Sequence, residues 1–243
     1  MVESFLIIGG SSDIAMILAK QLDESGHKVT LLARDISRTS KLQETGIDVV
    51  QGDALESEAL QLAIEQAKIN GDGQISGAAH LVGSILLKPP HALKVEDFEE
   101  VITTNLTSAF LALSLTCKAM LRSGGGRMIF TSSVAGSLGL VNHEAIAAAK
   151  GGIESMVRSA AATYAQRKIR INAVAPGLTE TRLTESILRS EAMKESAISM
   201  IPMKRINQPE EIASTIYWLL TKAPDNLTGQ VINLDGGMAN VRN

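Results

Sequence analysis

The chain has 243 residues, 45% of them apolar, which is enough for one large α/β domain around a packed core. A formal net charge of -3 with both signs interspersed leaves no basic patch for nucleic acid, and the single cysteine, Cys117, excludes an intramolecular disulfide and a cysteine-built metal cluster. No apolar run reaches the roughly 18 residues of a membrane span and the first residues are too briefly apolar for a signal peptide, so no membrane partner and a cytoplasmic location are expected.

Ser4 to Ile8 is a short apolar run that reads as a strand; Gly9 and Gly10 turn the chain, and Ile14 to Leu22 carries apolar residues at helical spacing. Lys28 to Leu32 is a second strand, Val49 and Val50 lie in a third, and Ser57 to Lys68 is a helix with Ala and Leu on one face. A fourth strand covers about Gly77 to Val82, a long helix runs from about Val95 to Leu121, and Gly124 to Gly126 turns into a buried strand, Arg127 to Thr131. An Ala-rich helix carrying Lys150 follows, then a strand from Arg170 to Val174, a helix opened by Pro209 through Leu220, and a last strand from Gln230 to Leu234. Such alternation predicts a doubly wound parallel sheet of about seven strands with helices on both faces, one domain over residues 1–243. Ligands of such sheets bind at the carboxyl ends of the strands.

Those ends hold the candidate chemistry. Ser132 and Ser133 close the fifth strand, and a strand end followed by a helix would bring Ser133 and Lys150 to one cleft. The turn IGGSSDIA opens a helix after the first strand, so Gly10, Ser11, Ser12, Asp13 and Ile14 are candidates to hold a pyrophosphate on backbone N–H groups and hydroxyls, with Asp13 as N-cap of the helix. Arg34, at the end of the second strand, suits a ribose 2′-phosphate and favours NADP(H), while the adjacent Asp35 keeps NAD(H) open. His80 reads as a packed histidine, and nothing stands near it at metal-ligand spacing.

Together these stretches resemble the short-chain dehydrogenase/reductase family. TSSVAGSLGLVNHEAIAAAKGG, Thr131 to Gly152, is similar to the family's catalytic stretch, in which a strand-end serine precedes a helical Tyr-x-x-x-Lys. INAVAPGLTETRL and LTGQVINLDGG match the family's Pro-Gly segment and closing strand. The resemblance implies cofactor contacts at Asp53 and Ala54 of GDAL, at Gly83, at Lys150, and at Pro176, Gly177, Thr179 and Thr181. It implies that Asn105 of TTNLTSAF organises water near the lysine. Its glycine pattern is Thr-Gly-x-x-x-Gly-x-Gly; the turn here reads as one residue shorter, with Asp13 and Ala15 in place of later glycines.

Ile146 stands at the tyrosine position, and isoleucine cannot donate a proton. His143, seven residues before Lys150, is the visible substitute acid. Two readings follow: an NADP(H)-dependent oxidoreductase acting on a carbonyl or activated double bond of a small-molecule substrate, or a dinucleotide-binding protein without turnover, working as partner subunit or redox sensor. In the family the region matching about 181–205 covers the substrate, so Leu183, Ile187, Leu188, Met193 and Met200 are candidate pocket residues. The small residues of the lysine helix allow close helix packing, and the resemblance implies that this helix builds a homodimer or homotetramer interface.

Overall fold

The computed structural model describes residues 2–241. Seven strands form one parallel sheet in the order β3-β2-β1-β4-β5-β6-β7. They are β1 (Ser4–Ile8), β2 (Lys28–Ala33), β3 (Asp48–Gln51), β4 (Gly77–His80), β5 (Gly126–Thr131), β6 (Ile169–Pro176) and β7 (Val231–Leu234). The helices are α1 (Asp13–Glu24), α2 (Ser40–Glu44), α3 (Ser57–Asn70), α4 (Val95–Ile102), α5 (Ser108–Met120), α6 (Glu144–Tyr164), α7 (Glu185–Leu188), α8 (Glu191–Ser199) and α9 (Pro209–Thr221).

The period of two along β1 explains the layers. Leu6 and Ile8 point into one core with Leu60 and Ala63 of α3, Ala109 and Ala112 of α5, and Ile153 and Val157 of α6. Phe5 and Ile7 point the other way, into a core with Leu18 and Leu22 of α1 and Ile212 and Ile216 of α9. A strand buried on both faces needs the unbroken apolar run seen in SFLII, and all five residues are buried.

Three expectations are corrected. The long helix over 95–121 is interrupted: α4 and α5 are joined by a π turn, Thr103–Thr107. Its cause is Asn105, whose side-chain amide donates to the Val101 carbonyl at 2.9 Å and so takes the acceptor four residues back that an α-helical N–H would use. Strand β4 stops at His80 instead of Val82, because Leu81 and Val82 turn past Gly9. Between β2 and β3 lies a short helix, α2, that the apolar spacing does not announce, since none of its residues is buried.

Candidate active site

β1 sits between β2 and β4, so the chain reverses its direction of travel across the sheet at this point, and a cleft of about 470 Å³ opens at the carboxyl ends of β1 and β4. Gly9 forms its floor with a left-handed φ of +90°; a Cβ there would come within 2.8 Å of the Leu81 carbonyl carbon. Gly10 does not line the cleft. It packs on β2, where a Cβ would meet that of Leu31 at 2.8 Å. Ser11, Ser12, Asp13 and Ile14 do line it. Gly10, Ser11 and Ser12 separate Gly9 from Asp13, so the turn has the full length of the glycine pattern and the expected shortening is corrected.

The N-cap of α1 is Ser12, whose Oγ accepts from the Ala15 N–H at 3.2 Å, and not Asp13. As first helical residue Asp13 directs its carboxylate away from its own helix, accepting from Arg38 Nη2 at 2.7 Å and from the Arg182 N–H at 2.8 Å. Burial works against the charge, but these two donors outweigh it and hold the carboxyl below the ordinary aspartate range.

Farther along the cleft, Arg34 Nη1 lies 3.4 Å from Asp53 Oδ2; the arginine side chain is 74% exposed and so free to turn toward a ligand. Asp53 also accepts from the Leu55 N–H at 2.9 Å, beside buried Ala54. Asp35 is occupied by the hydroxyl and N–H of Ser37.

At the other end, Gly83, Asn105, Ser133, Ile146 and Lys150 line the cleft together. Asn105 is fully buried; its Oδ1 accepts from the Ser84 N–H at 3.2 Å and its Nδ2 donates to Ser84 Oγ at 3.0 Å. Ser133 caps the one-turn helix Val134–Gly136, its Oγ accepting from the Ala135 N–H at 3.2 Å, which leaves its hydroxyl proton available. Neighbouring Ser132 is buried and turns inward, donating to Glu154 Oε1 at 2.9 Å. Lys150 donates to the Thr131 carbonyl at 2.9 Å, and burial pulls its ammonium down to about 8.

Ile146 is 4% exposed and packs with Val101, Ala135, Ala145 and Ala149, with Leu86 and Leu140 against them. His143 immediately precedes α6 and is outside the cleft lining; its Nδ1 lies 2.7 Å from the Val141 carbonyl oxygen. Pro176, Gly177, Thr179 and Thr181 border the cleft, and Gly177 lets the chain pass the Asp235 backbone, 3.0 Å from where a Cβ would sit. Of the five apolar candidates in the covering region only Leu183 reaches this cleft; Met193 and Met200 are about half exposed.

His80 is fully buried, with Nε2 3.0 Å from Ser108 Oγ and Nδ1 unpartnered; burial, then the Lys150 charge, bring it down to about 3. Sequence reasoning misses Ser84, Arg38 and Glu154, which fall in none of the quoted motifs, and Arg182, which lies inside INAVAPGLTETRL but has no role there that the motif announces. Among the described residues no group of three or more His, Cys, Asp and Glu could hold a metal ion, and no helix is long and apolar enough to cross a membrane.

Residues 9–239 match the family model described as Enoyl-(Acyl carrier protein) reductase. The chain is 33% identical to the 3-oxoacyl-[acyl-carrier-protein] reductase MabA of Mycobacterium tuberculosis over 235 residues, 97% of this chain and 92% of that protein. It belongs to the short-chain dehydrogenase/reductase family of oxidoreductases. A tropinone reductase homologue of Arabidopsis thaliana is 30% identical over 96% of this chain and 90% of its own length. A short-chain type dehydrogenase/reductase from Mycobacterium ulcerans superposes with a TM-score of 0.93 at 25% identity, covering 99% of this chain and 90% of that one. The turn and Arg34 line this cleft together with Ser133 and Lys150.

Proposed function

We propose that the protein is an NADP(H)-dependent reductase of a carbonyl or an activated double bond. The observation that carries this reading is the convergence of Ser133, Asn105 and Lys150 at one end of a cleft whose other end holds Ser11, Ser12 and Arg34. The cleft fits a dinucleotide: Gly9 and Gly83 keep its floor clear where side chains would intrude, and the serine turn opens α1. Ser11, Ser12 and the α1 N-terminus would hold the pyrophosphate, Arg34 a 2′-phosphate, and Lys150 the nicotinamide ribose. When bound, the cofactor supplies the hydride.

Ser133 donates its free hydroxyl proton as a hydrogen bond to the substrate oxygen and so polarises the group to be reduced. Lys150, with its pKa near 8, holds and passes a proton close to neutral pH, through water between its Nζ and the substrate. Asn105 and Ser84 fix the wall beside that path. His143, the expected substitute acid, lies outside the cleft lining and is not given this role. The relatives are reductases by name, which supports reduction over other chemistry. Leu183 is the third residue of the segment 181–205 that we assign to covering the substrate, and a homodimer or homotetramer is the assembly we expect.

The test is fluorescence titration with NADPH and NADH, followed by a panel of ketones and enoyl thioesters. Tighter NADPH binding with turnover supports the reading; Arg34→Ala should erase the preference, and Ser133→Ala the turnover. NADPH binding without turnover would leave a dinucleotide-binding protein, a reading that buried, apolar Ile146 favours.

A further inference from the structure

The geometry points to Asp13 as a positioning residue, a latch that holds the segment covering the substrate onto the dinucleotide turn until cofactor phosphates take over its partners. Asp13 stands at the second glycine of the family's pattern, where a carboxylate would oppose a diphosphate. Its contacts give the charge a use. Its Oδ2 accepts from the Arg182 N–H at 2.8 Å, across 169 residues of chain, and its Oδ1 lies 3.6 Å from Arg182 Nε. Oδ1 also accepts from Arg38 Nη2 at 2.7 Å.

The same two guanidiniums meet a second time, on the Ser11 carbonyl oxygen: Arg182 Nη2 donates to it at 3.1 Å, and Arg38 Nη1 donates to it as well. Three pieces of chain that are far apart in sequence are therefore tied at one carboxylate: the turn after β1, the turn after β2, and the start of the covering segment. The Asp13 side chain is 19% exposed and that of Arg38 23%, so the pair is partly shielded from solvent and from salt screening. Helix capping does not account for the arrangement, because Ser12 already caps α1. Arg182 opens a turn closed by Thr181 and Thr184 as a reciprocal cap, so a hold on its N–H is passed on to the α7 that follows.

Two guanidiniums face one carboxylate, and Asp13, Thr181 and Arg182 all line the cleft. Phosphate oxygens entering beside Ser11 offer those guanidiniums a better-charged partner. The exchange would free Asp13 while keeping the covering segment in place. This hand-over rests on the cofactor reading above; the latch in the free protein does not.

Hydrogen exchange on the full chain separates the two. In the free protein, Asp13→Ala should speed exchange at residues 182–188 by about tenfold, as expected for loss of a charge-assisted hydrogen bond, with Asp13→Asn intermediate and β1, β4 and β5 unchanged. Saturating NADPH should bring the variants back to the wild-type rate. Equal rates in the free proteins would overturn the latch, and a difference that persists in full with NADPH bound would overturn the hand-over. If Asp13→Ala loosens the strands too, Arg182→Ala replaces it: exchange at 182–188 should again rise in the free protein, and equal rates would overturn the latch. Because the guanidinium that would meet phosphate is then gone, NADPH should not restore the wild-type rate, and full restoration would overturn the hand-over. Failure of wild type to bind NADPH would remove the cofactor reading and the hand-over, and the free-protein comparison would still decide the latch.

Discussion

Lys150 Nζ lies 2.9 Å from the Thr131 carbonyl oxygen, so α6 is fastened to the last residue of β5, two residues before Ser133. The contact aims the lysine along the cleft at the cost of burying an ammonium, which lowers its pKa from 10.5 to about 8. Below about pH 8 the group is charged in folded and unfolded chains alike, and the burial penalty is felt in full. Between about 8 and 10.5 the folded protein sheds a proton that the unfolded chain keeps, so stability rises with pH in that window. Urea unfolding at pH 7 and pH 9.5 should show wild type gaining stability relative to Lys150→Met; parallel behaviour of the two would contradict the buried charge.

Ile146 and Lys150 are four residues apart on one face of α6, and both line the cleft. Ile146→Tyr would place a phenol beside the lysine and supply the missing acid, raising carbonyl reduction by about a hundredfold to ten-thousandfold. The larger ring must also fit among Val101, Ala135 and Ala149, and the expected loss of stability is about 1–3 kcal/mol. Steady-state kcat/KM with NADPH and melting temperature check both halves. No gain in rate in a folded variant would show that proton supply is not what limits the parent.

Much of this architecture is legible from local chemistry. β1 announces itself because a strand buried on both faces must be apolar throughout, and the cleft follows from where the parallel strands end. Ser133, Asn105 and Lys150 are found because each lies in a short motif of recognisable residue order. The turn is harder: in the doublet Gly9-Gly10 only the backbone angle tells which glycine takes the left-handed place, and it is Gly9. Helix α2 is silent because Leu42 alone packs on the core, only partly buried, so no apolar period marks it. Arg38 and Arg182 escape notice because neither residue's neighbours in sequence show what its guanidinium meets; their meaning comes from Asp13, 25 and 169 residues away.

Ser132 differs from its neighbour in purpose. Its hydroxyl donates at 2.9 Å to Glu154, a carboxylate on α6 that is only 6% exposed. Ser132→Ala removes a donor from a buried acceptor, which typically costs about 1–3 kcal/mol. Chemical denaturation should show that loss with cofactor affinity little changed. Ser132 also borders the cleft, so a loss of turnover as large as that of Ser133→Ala, with stability unchanged, would overturn the structural role given to it.

Gly83 decides how closely Asn105 and Lys150 can approach each other. A Cβ at this position would lie 3.0 Å from Asn105 Oδ1 and 3.4 Å from Lys150 Nζ. Its backbone is not in the left-handed region, so Gly83→Ala adds no conformational strain and acts through that contact alone. Asn105 is fixed from three sides, by Val101 and by the N–H and hydroxyl of Ser84, and cannot retreat without breaking those bonds. The 3.4 Å to Lys150 is an ordinary contact, so the few tenths of an ångström needed must come from the Asn105 side, at the expense of its bonds to Ser84. A displacement of that size in a positioned group should reduce kcat/KM by about tenfold, with a melting temperature close to that of wild type. Unchanged kinetics in the alanine variant would mean that the spacing of Asn105 and Lys150 does not matter to the reaction.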